Sequence, residues 1–559
     1  MANRAKSVIR RIGPANQVWT TEHRELGNSR YCSNTVLWCA AALLLTGCSG
    51  GGGSEPAPTI VASVDVTLAT PSFSDEVTEG YEISFTVEGA WSGTNVNAAD
   101  VFLQARDVSG QLSQPASISG SSGTNFSFEL IAPSSNGPGS YSGTIEVAAC
   151  RDSLCAELYS GASATVDYLL NVIAPTGDWE THQREAAHSG YVPITLNPSR
   201  FSVAWEWAKD PDPEPIGGIN AVVTANGMVY VSTDVYFGQG ILYALSESAG
   251  TENWRTSLGM MPAMNPPATS NGVVYVATTG HADTFLWALD AQTGDLIFKA
   301  PFEAQWPHEL APTVYGNQVY TGGGYYGGVT YSFSTTDGAR TWEHLASGAD
   351  MYTPAVDDAY VYNHTGSALY LIDKTTGATS FSIFDPFGSS DYSYHGSPIL
   401  GGRDNVVAYA SGAFSGRASS NVEQYDQRVL SSFNIDTALY EWSTSFTYLT
   451  TPAIGNGVIF AARNDPMSLD AIDEATGTIL WSWAPNGTED TSFHRNLIVT
   501  NNLLFVSTDR AVYALDLETR DVEWSYPQAG MMAISEGRTL YIATGARESD
   551  GNLVAVRLN

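Results

Sequence analysis

Lysine is nearly missing from this sequence. Its 559 residues include 25 Lys and Arg against 58 Asp and Glu, a formal net charge of −33. Such an excess of acid repels phosphate backbones and anionic lipid headgroups, which excludes nucleic acid as a partner. Adaptation to high salt accounts for it without any specific ligand. Cysteine is scarce too, and none follows Cys155. The nine histidines show no His-Glu-x-x-His or His-x-His spacing, so no zinc motif is present. Past the Gly-rich stretch at 47–54 no Gly-x-Ser-x-Gly nucleophile turn occurs. No apolar run approaches the roughly 20 residues that span a bilayer as a helix. No window sustains helical periodicity, which argues against a helical fold.

What the chain does have is repetition. Ala288-Leu289-Asp290-Ala291-Gln292-Thr293-Gly294-Asp295-Leu296-Ile297-Phe298 has counterparts starting at Ala244, Ser332, Leu371, Ser432, Ala471 and Ala514. Each copy ends in an aromatic: Trp254, Phe298, Trp342, Phe381, Trp442, Trp481 and Trp524. These aromatics are spaced by 39 to 44 residues, with one gap of 61. That is the length of a four-stranded propeller blade. Upstream of the phrases stand runs such as Asn271-Gly272-Val273-Val274-Tyr275-Val276. Asn-Gly supplies the positive φ of a tight hairpin, and β-branched and aromatic residues suit a buried pleat. The Asp and Gly of the phrase form a second turn, and the aromatic is expected to pack between neighbouring blades. An eighth unit opens at Leu540 but stops before its Gly and aromatic. Phe201-Ser202-Val203-Ala204-Trp205-Glu206-Trp207 has the right aromatic and no repeat ahead of it. The expectation is an all-β fold in which this strand closes an eight-bladed ring, which removes exposed sheet edges.

The phrase Ala-x-Asp-x-x-Thr-Gly-x-x-x-Trp resembles the repeat of pyrroloquinoline-quinone-type propellers. So does the lead-in Asp178-Trp179-Glu180-Thr181-His182 with His188-Ser189-Gly190-Tyr191. The resemblance covers residues 174–559 and implies fold more than activity, because the repeated residues are scaffold. Two groups share the repeat: quinoprotein dehydrogenases, and non-enzymatic propellers related to BamB of the outer-membrane assembly machinery. The dehydrogenases carry an adjacent Cys-Cys disulfide against their cofactor. With no cysteine after Cys155, the propeller segment cannot make one, so no cofactor and no enzyme activity are expected.

At the other end, Val36 to Leu45 is an apolar run of signal-peptide length, with Arg30 ahead of it. Leu45-Thr46-Gly47-Cys48 resembles the bacterial lipobox, which implies cleavage before Cys48 and its acylation. Ser49 stands where an inner-membrane retention signal has Asp, so the expected location is the outer membrane, on its periplasmic or surface face. The stretch before Arg30 is long for such a signal, and the true start of translation is expected nearer the apolar run. Residues 48–59 form a Gly/Ser-rich tether. Past residue 47 the lysines are Lys209, Lys299 and Lys374 alone.

Residues 60–173 lack the phrase. Alternating runs at Val64–Leu68, Tyr81–Val87, Asn125–Leu130, Tyr141–Val147 and Ala164–Leu170, with turn-rich segments between, read as an immunoglobulin- or fibronectin-like sandwich. Strand-like runs flank Cys150 and Cys155. A disulfide stapling a hairpin fits an oxidising compartment. The metal alternative has neither a further cysteine nor a nearby histidine.

Few residues suggest a site. His182 and His188 read as structural histidines. Asp210-Pro211-Asp212-Pro213-Glu214 reads as a solvated acidic loop, with cation binding as the alternative. The insertions are richer: Trp306, Tyr325, Tyr326, Tyr392 and Tyr394 make a candidate ligand patch for a sugar or peptide, with packing between blades as the alternative. The functional expectation is a non-catalytic, lipid-anchored envelope binding or scaffold protein whose partners are envelope proteins or glycans. BamB-like outer-membrane assembly is one version. A polysaccharide-binding adhesin or lectin and a quinone-dependent dehydrogenase are the alternatives.

Overall fold

The computed structural model describes residues 61–558, except 82, 113–124, 133–135, 211–217, 236, 281–283, 305–310, 325–327, 346–352, 366–367, 388–396, 411–427 and 545–550. Among the described residues there is no α-helix, and nearly all regular structure is strand.

Seven strands come first: β1 (Ser63–Leu68), β2 (Ser72–Thr78), β3 (Ile83–Thr94), β4 (Phe102–Asp107), β5 (Asn125–Ala132), β6 (Gly139–Cys150) and β7 (Leu158–Ile173). They make two sheets, β1-β3-β5 and β2-β7-β6-β4. All pairs are antiparallel except β2 with β7, which run parallel from Ser72↔Asp167 to Thr78↔Ile173. The alternation in β5 shows why the sheets stack. Phe126, Phe128, Leu130 and Ala132 point inward and their neighbours outward. They share a core with Phe85, Trp91, Ile145, Val147 and Leu170. A disulfide joins Cys150, the last residue of β6, to Cys155, with Cα atoms 5.0 Å apart.

The rest is a β-propeller: eight four-stranded antiparallel sheets follow one another along the chain. They occupy 223–261, 263–301, 313–345, 355–384, 399–443, 453–483, 493–526 and 531–557. Seven are built from four consecutive strands. The eighth has three, and its fourth is β8 (Ser202–Ala208), which pairs with the last strand from Asn552↔Ala208 to Arg557↔Ser202. One buried cluster joins the first, second, seventh and eighth sheets across this seam, from Val229 to Val556.

The repeated phrase is the joint between neighbours. Asp290 accepts N–H bonds from Gln292 and Thr293, and Gly294 turns back at φ +74°. That glycine is required twice over, because a Cβ there would also lie 2.6 Å from the Trp254 ring of the preceding sheet. Trp254 Nε1 donates to Ala291 O at 3.1 Å. The same seat recurs for Trp205 on Gly250, Phe298 on Gly338, Trp342 on Gly377 and Trp442 on Gly477. Where the phrase departs from glycine the joint changes. Arg520 takes the position at φ +67° and sets its guanidinium 5.6 Å from the centre of the Trp481 ring.

Candidate functional site

Strand direction gives every ring sheet two distinct ends. The innermost strand, the first of each sheet, finishes at one end. The second and fourth strands finish at the opposite end. The lead-in segment lies across the first of these ends. Backbone N–H groups of Thr224, Thr269, Val356, Leu400, Ile454 and Val499, each from the innermost strand of a different sheet, donate to the carbonyls of Trp179, Glu180, Ala186, Ala187, Ser189 and Gly190 in that order. The third sheet joins through Thr181 Oγ1, which donates to Pro312 O at 2.7 Å. The eighth joins through Glu536 N, which donates to Asp178 Oδ1 at 3.2 Å. Thirteen residues, 178 to 190, therefore lace all eight sheets. They satisfy inner-strand groups that would otherwise face an open axial channel.

Between the third and fourth contacts the segment turns across the axis. Gln183 and Arg184 adopt φ of +52° and +87°. The Gln183 amide donates to Pro452 O (2.7 Å) and Leu497 O (3.1 Å), and its carbonyl accepts from Asn496. His188 is fully buried, with Nδ1 3.0 Å from Pro398 O and Nε2 3.2 Å from Thr313 Oγ1. A carbonyl can only accept, so the proton sits on Nδ1, while the single Thr313 hydroxyl proton lies between Nε2 and Pro354 O, which is 2.8 Å from Thr313 Oγ1. Burial holds His188 well below the usual histidine range, and the neighbouring His182 adds to the effect. His182 meets His188 edge to face at 5.2 Å. It retains partial exposure although it lies deep in the ring, and burial pushes it down to about 4. Both imidazoles are thus neutral near neutral pH. The floor they form can donate or accept a hydrogen bond but offers no cation.

A second titratable group lies at the start of the lacing. Asp178 Oδ1 accepts from Thr224 Oγ1 and Oδ2 from Asn226 N. Glu180, Glu247 and Glu536 are all raised above the usual carboxylate value, in each case by burial first and then by the negative charges around them. Among the described residues no group of three His, Cys, Asp or Glu side chains could hold a metal.

The candidate patch Trp306, Tyr325, Tyr326, Tyr392 and Tyr394 lies outside the described residues, as do Cys48, the signal segment and the tether. The described residues that flank these segments in sequence share one location. Ala304 and Gly324 form a parallel bridge, and Asp385 and Phe387 follow the fourth strand of their sheet. All are at the end opposite the lacing. Asp210, from the acidic loop, pairs with the Arg255 guanidinium, which also binds Glu252 at 2.6 Å. The rest of that loop, 211–217, is outside the described residues.

The family described as outer membrane protein assembly factor BamB matches this sequence in overlapping segments, 196–309, 238–483 and 441–559. The chain belongs to that family. Among curated proteins, this BamB-family chain is similar to tetrathionate hydrolase of Acidithiobacillus ferrooxidans, 24% identical over 344 residues that cover 50% of this chain and 62% of that protein. It is also similar to tetrathionate hydrolase of Acidianus ambivalens, 26% identical over 167 residues, 30% of this chain and 26% of that protein. It therefore spans less than two thirds of either relative. Among solved structures it is similar to BamB from Moraxella catarrhalis, at 15% identity and a TM-score of 0.47 over 64% of this chain and 99% of that one. Quinohemoprotein alcohol dehydrogenase from Comamonas testosteroni is similar at 14% identity and a TM-score of 0.49, over 68% and 81%.

Proposed function

We propose that this chain is a non-catalytic, lipid-anchored scaffold of the cell envelope, BamB-like in assisting outer-membrane assembly. In this reading the eight sheets are the eight blades of a propeller, carried on an immunoglobulin-like sandwich and tethered to the outer membrane through Cys48. Protein partners of the assembly machinery dock at the end of the ring away from the lacing, and no cofactor takes part. The observation that carries the reading is the lacing itself. With one end of the axis crossed by residues 178–190, the opposite end is the one left to receive a partner. Family membership supplies the kind of partner. The test is a pull-down from detergent-solubilised envelope with the tagged full chain. Recovery of outer-membrane assembly proteins supports the scaffold, and recovery of glycan in their place favours the lectin alternative.

A catalytic reading has one observation in its favour, the similarity to tetrathionate hydrolases over 344 residues. Incubation of the purified chain with tetrathionate, followed by thiosulfate and sulfate, tests it. Turnover would overturn the scaffold reading.

A further inference from the structure

The sandwich meets the ring through two guanidinium groups and one buried acid. Arg538 leaves the hairpin of the eighth sheet at φ +62° and is 3% exposed. Its guanidinium donates to Glu76 Oε1 and Glu76 O, both at 2.9 Å, and to Thr78 Oγ1 at 3.3 Å. Arg200, just ahead of β8, pairs with Asp75. Glu76 Oε1 also accepts from the backbone N–H of Thr195 at 3.0 Å. Three successive contact points on β2, Asp75, Glu76 and Thr78, are thus gripped from the ring side.

Beside this grip lies Glu247, in the turn of the repeated phrase of the first sheet. It is 9% exposed. Its Oε1 accepts from Ser535 Oγ, while Oε2 is buried with no hydrogen-bond partner among the described residues. The groups around it come from every neighbouring element. Asp178 belongs to the lacing, Glu536 to the hairpin of the eighth sheet, Tyr541 to the strand after it, and Tyr81 to the sandwich. Two cations are near: Arg538 directly follows Gly537, and the charge of Arg184 acts on Glu180 and Glu536. Tyr81 is close. A Cβ on Gly537 would lie 2.5 Å from Glu247 Oε1 and 2.8 Å from Tyr81 Cε1, so only a glycine separates the phenol ring from the carboxyl.

A charged carboxylate is doubly disfavoured here. Burial removes its water, and Asp178 and Glu536 repel it; the Ser535 and Thr539 hydroxyls favour the charge but do not outweigh burial. The sandwich contributes the cover, because Tyr81 is the residue it places against the acid.

We propose that docking of the sandwich on the ring is coupled to a proton held by Glu247, so that the docked state carries the neutral acid and release of the sandwich discharges it. The sign follows from linkage. Freed of its cover, Glu247 returns toward the ordinary carboxylate value; docked, it titrates above it. Docking is therefore at full strength with respect to this group below the ordinary value, and weakens as pH rises through the docked one. With respect to this group the sandwich therefore loosens as pH rises.

Hydrogen exchange of the full chain at amides 72–81, followed by mass spectrometry from pH 5 to 8, tests this. Comparing wild type with Glu247→Gln at each pH cancels the intrinsic exchange rate. Wild-type protection should fall relative to the variant by up to about tenfold per pH unit, the limit for one titrating proton. Arg538→Ala should lose protection at every pH. A wild-type to variant ratio that stays constant across the range overturns the proposal, as does Arg538→Ala with protection intact. Should Glu247→Gln fail to fold, Glu536→Gln removes the neighbouring charge and should flatten the same dependence; an unchanged slope there overturns it equally.

Discussion

The sandwich and the ring are both stacked sheets, yet they hold together by different means. The ring reuses one joint: an aromatic from one sheet sits on a glycine of the next, and a Trp N–H reaches a carbonyl there. The sandwich has no repeated joint. It depends on a core shared by two unlike sheets, a parallel pairing of β2 with β7, a disulfide, and its grip on Arg200 and Arg538. The difference teaches where each is vulnerable. Damage to one ring joint recurs nowhere else but opens a closed circle, whereas the sandwich tolerates change at its turns and fails at its core.

The largest contrast should come from removing β8. Deletion of 201–208 strips the eighth sheet of its outer strand and takes away Trp205, seated on Gly250, and Trp207, 5.1 Å from Tyr243. Both indoles are partly buried; a fully buried aromatic costs about 3–5 kcal/mol, and losing these two together with the strand's pairing takes a large part of a typical stability of about 5–15 kcal/mol. Thermal unfolding should lose its cooperative ring transition and the protein should aggregate. An unchanged melting curve would show that the seam is not closed by this strand.

A sharper version compares two glycines of similar backbone shape. Gly294 in the ring has φ +74° and faces Trp254, while Gly110 in the sandwich has φ +73° and meets nothing within 4 Å. Gly110→Ala should cost about 1 kcal/mol, the strain of a left-handed alanine. Gly294→Ala adds overpacking against the indole and should reach about 2–4 kcal/mol. Equal midpoints in urea unfolding would mean that the joint has no tighter packing than an open turn.

The smallest effect runs the other way. Ala438 holds the glycine position of its phrase at φ +56° and is exposed. Ala438→Gly should raise stability by up to about 1 kcal/mol. A loss measured by urea titration would show that the methyl group packs on something the turn geometry does not reveal.

The contrast between the regions also explains what could be read from sequence. The ring was legible because its turns are local chemistry: Asp, Thr and Gly at fixed offsets, then an aromatic, repeat after repeat. The closing strand was legible because an unfinished last unit and a spare aromatic strand have to match. In the sandwich β2 and β4 escaped notice. Ser-Phe-Ser-Asp-Glu-Val-Thr has too little apolar alternation to announce a strand, and its partner β7 lies some ninety residues on. The lacing was invisible for another reason. Its bonds to the sheets are mostly backbone to backbone, and backbone groups leave no mark on residue type. Only the paired histidines hinted at an unusual environment. The grip of Arg538 had a weak signal. Where other hairpins carry Asn-Gly, this one reads Ser535-Glu536-Gly537-Arg538.

The order of the chain sets a schedule for its folding. The lacing at 178–190 precedes every ring sheet in sequence, and β8 must wait for residues 552–557, its partner strand. A strand released from the ribosome or the export channel near residue 208 has no partner until some 340 residues later. Contacts of such long sequence separation form slowly. During that interval β8 is unpaired, and an unpaired edge invites the wrong neighbour. Dilution, acidic self-repulsion and speed of export thus become conditions for a correct ring. The net charge of −33 acts in time as well as in space, by keeping half-made copies apart until their ends meet.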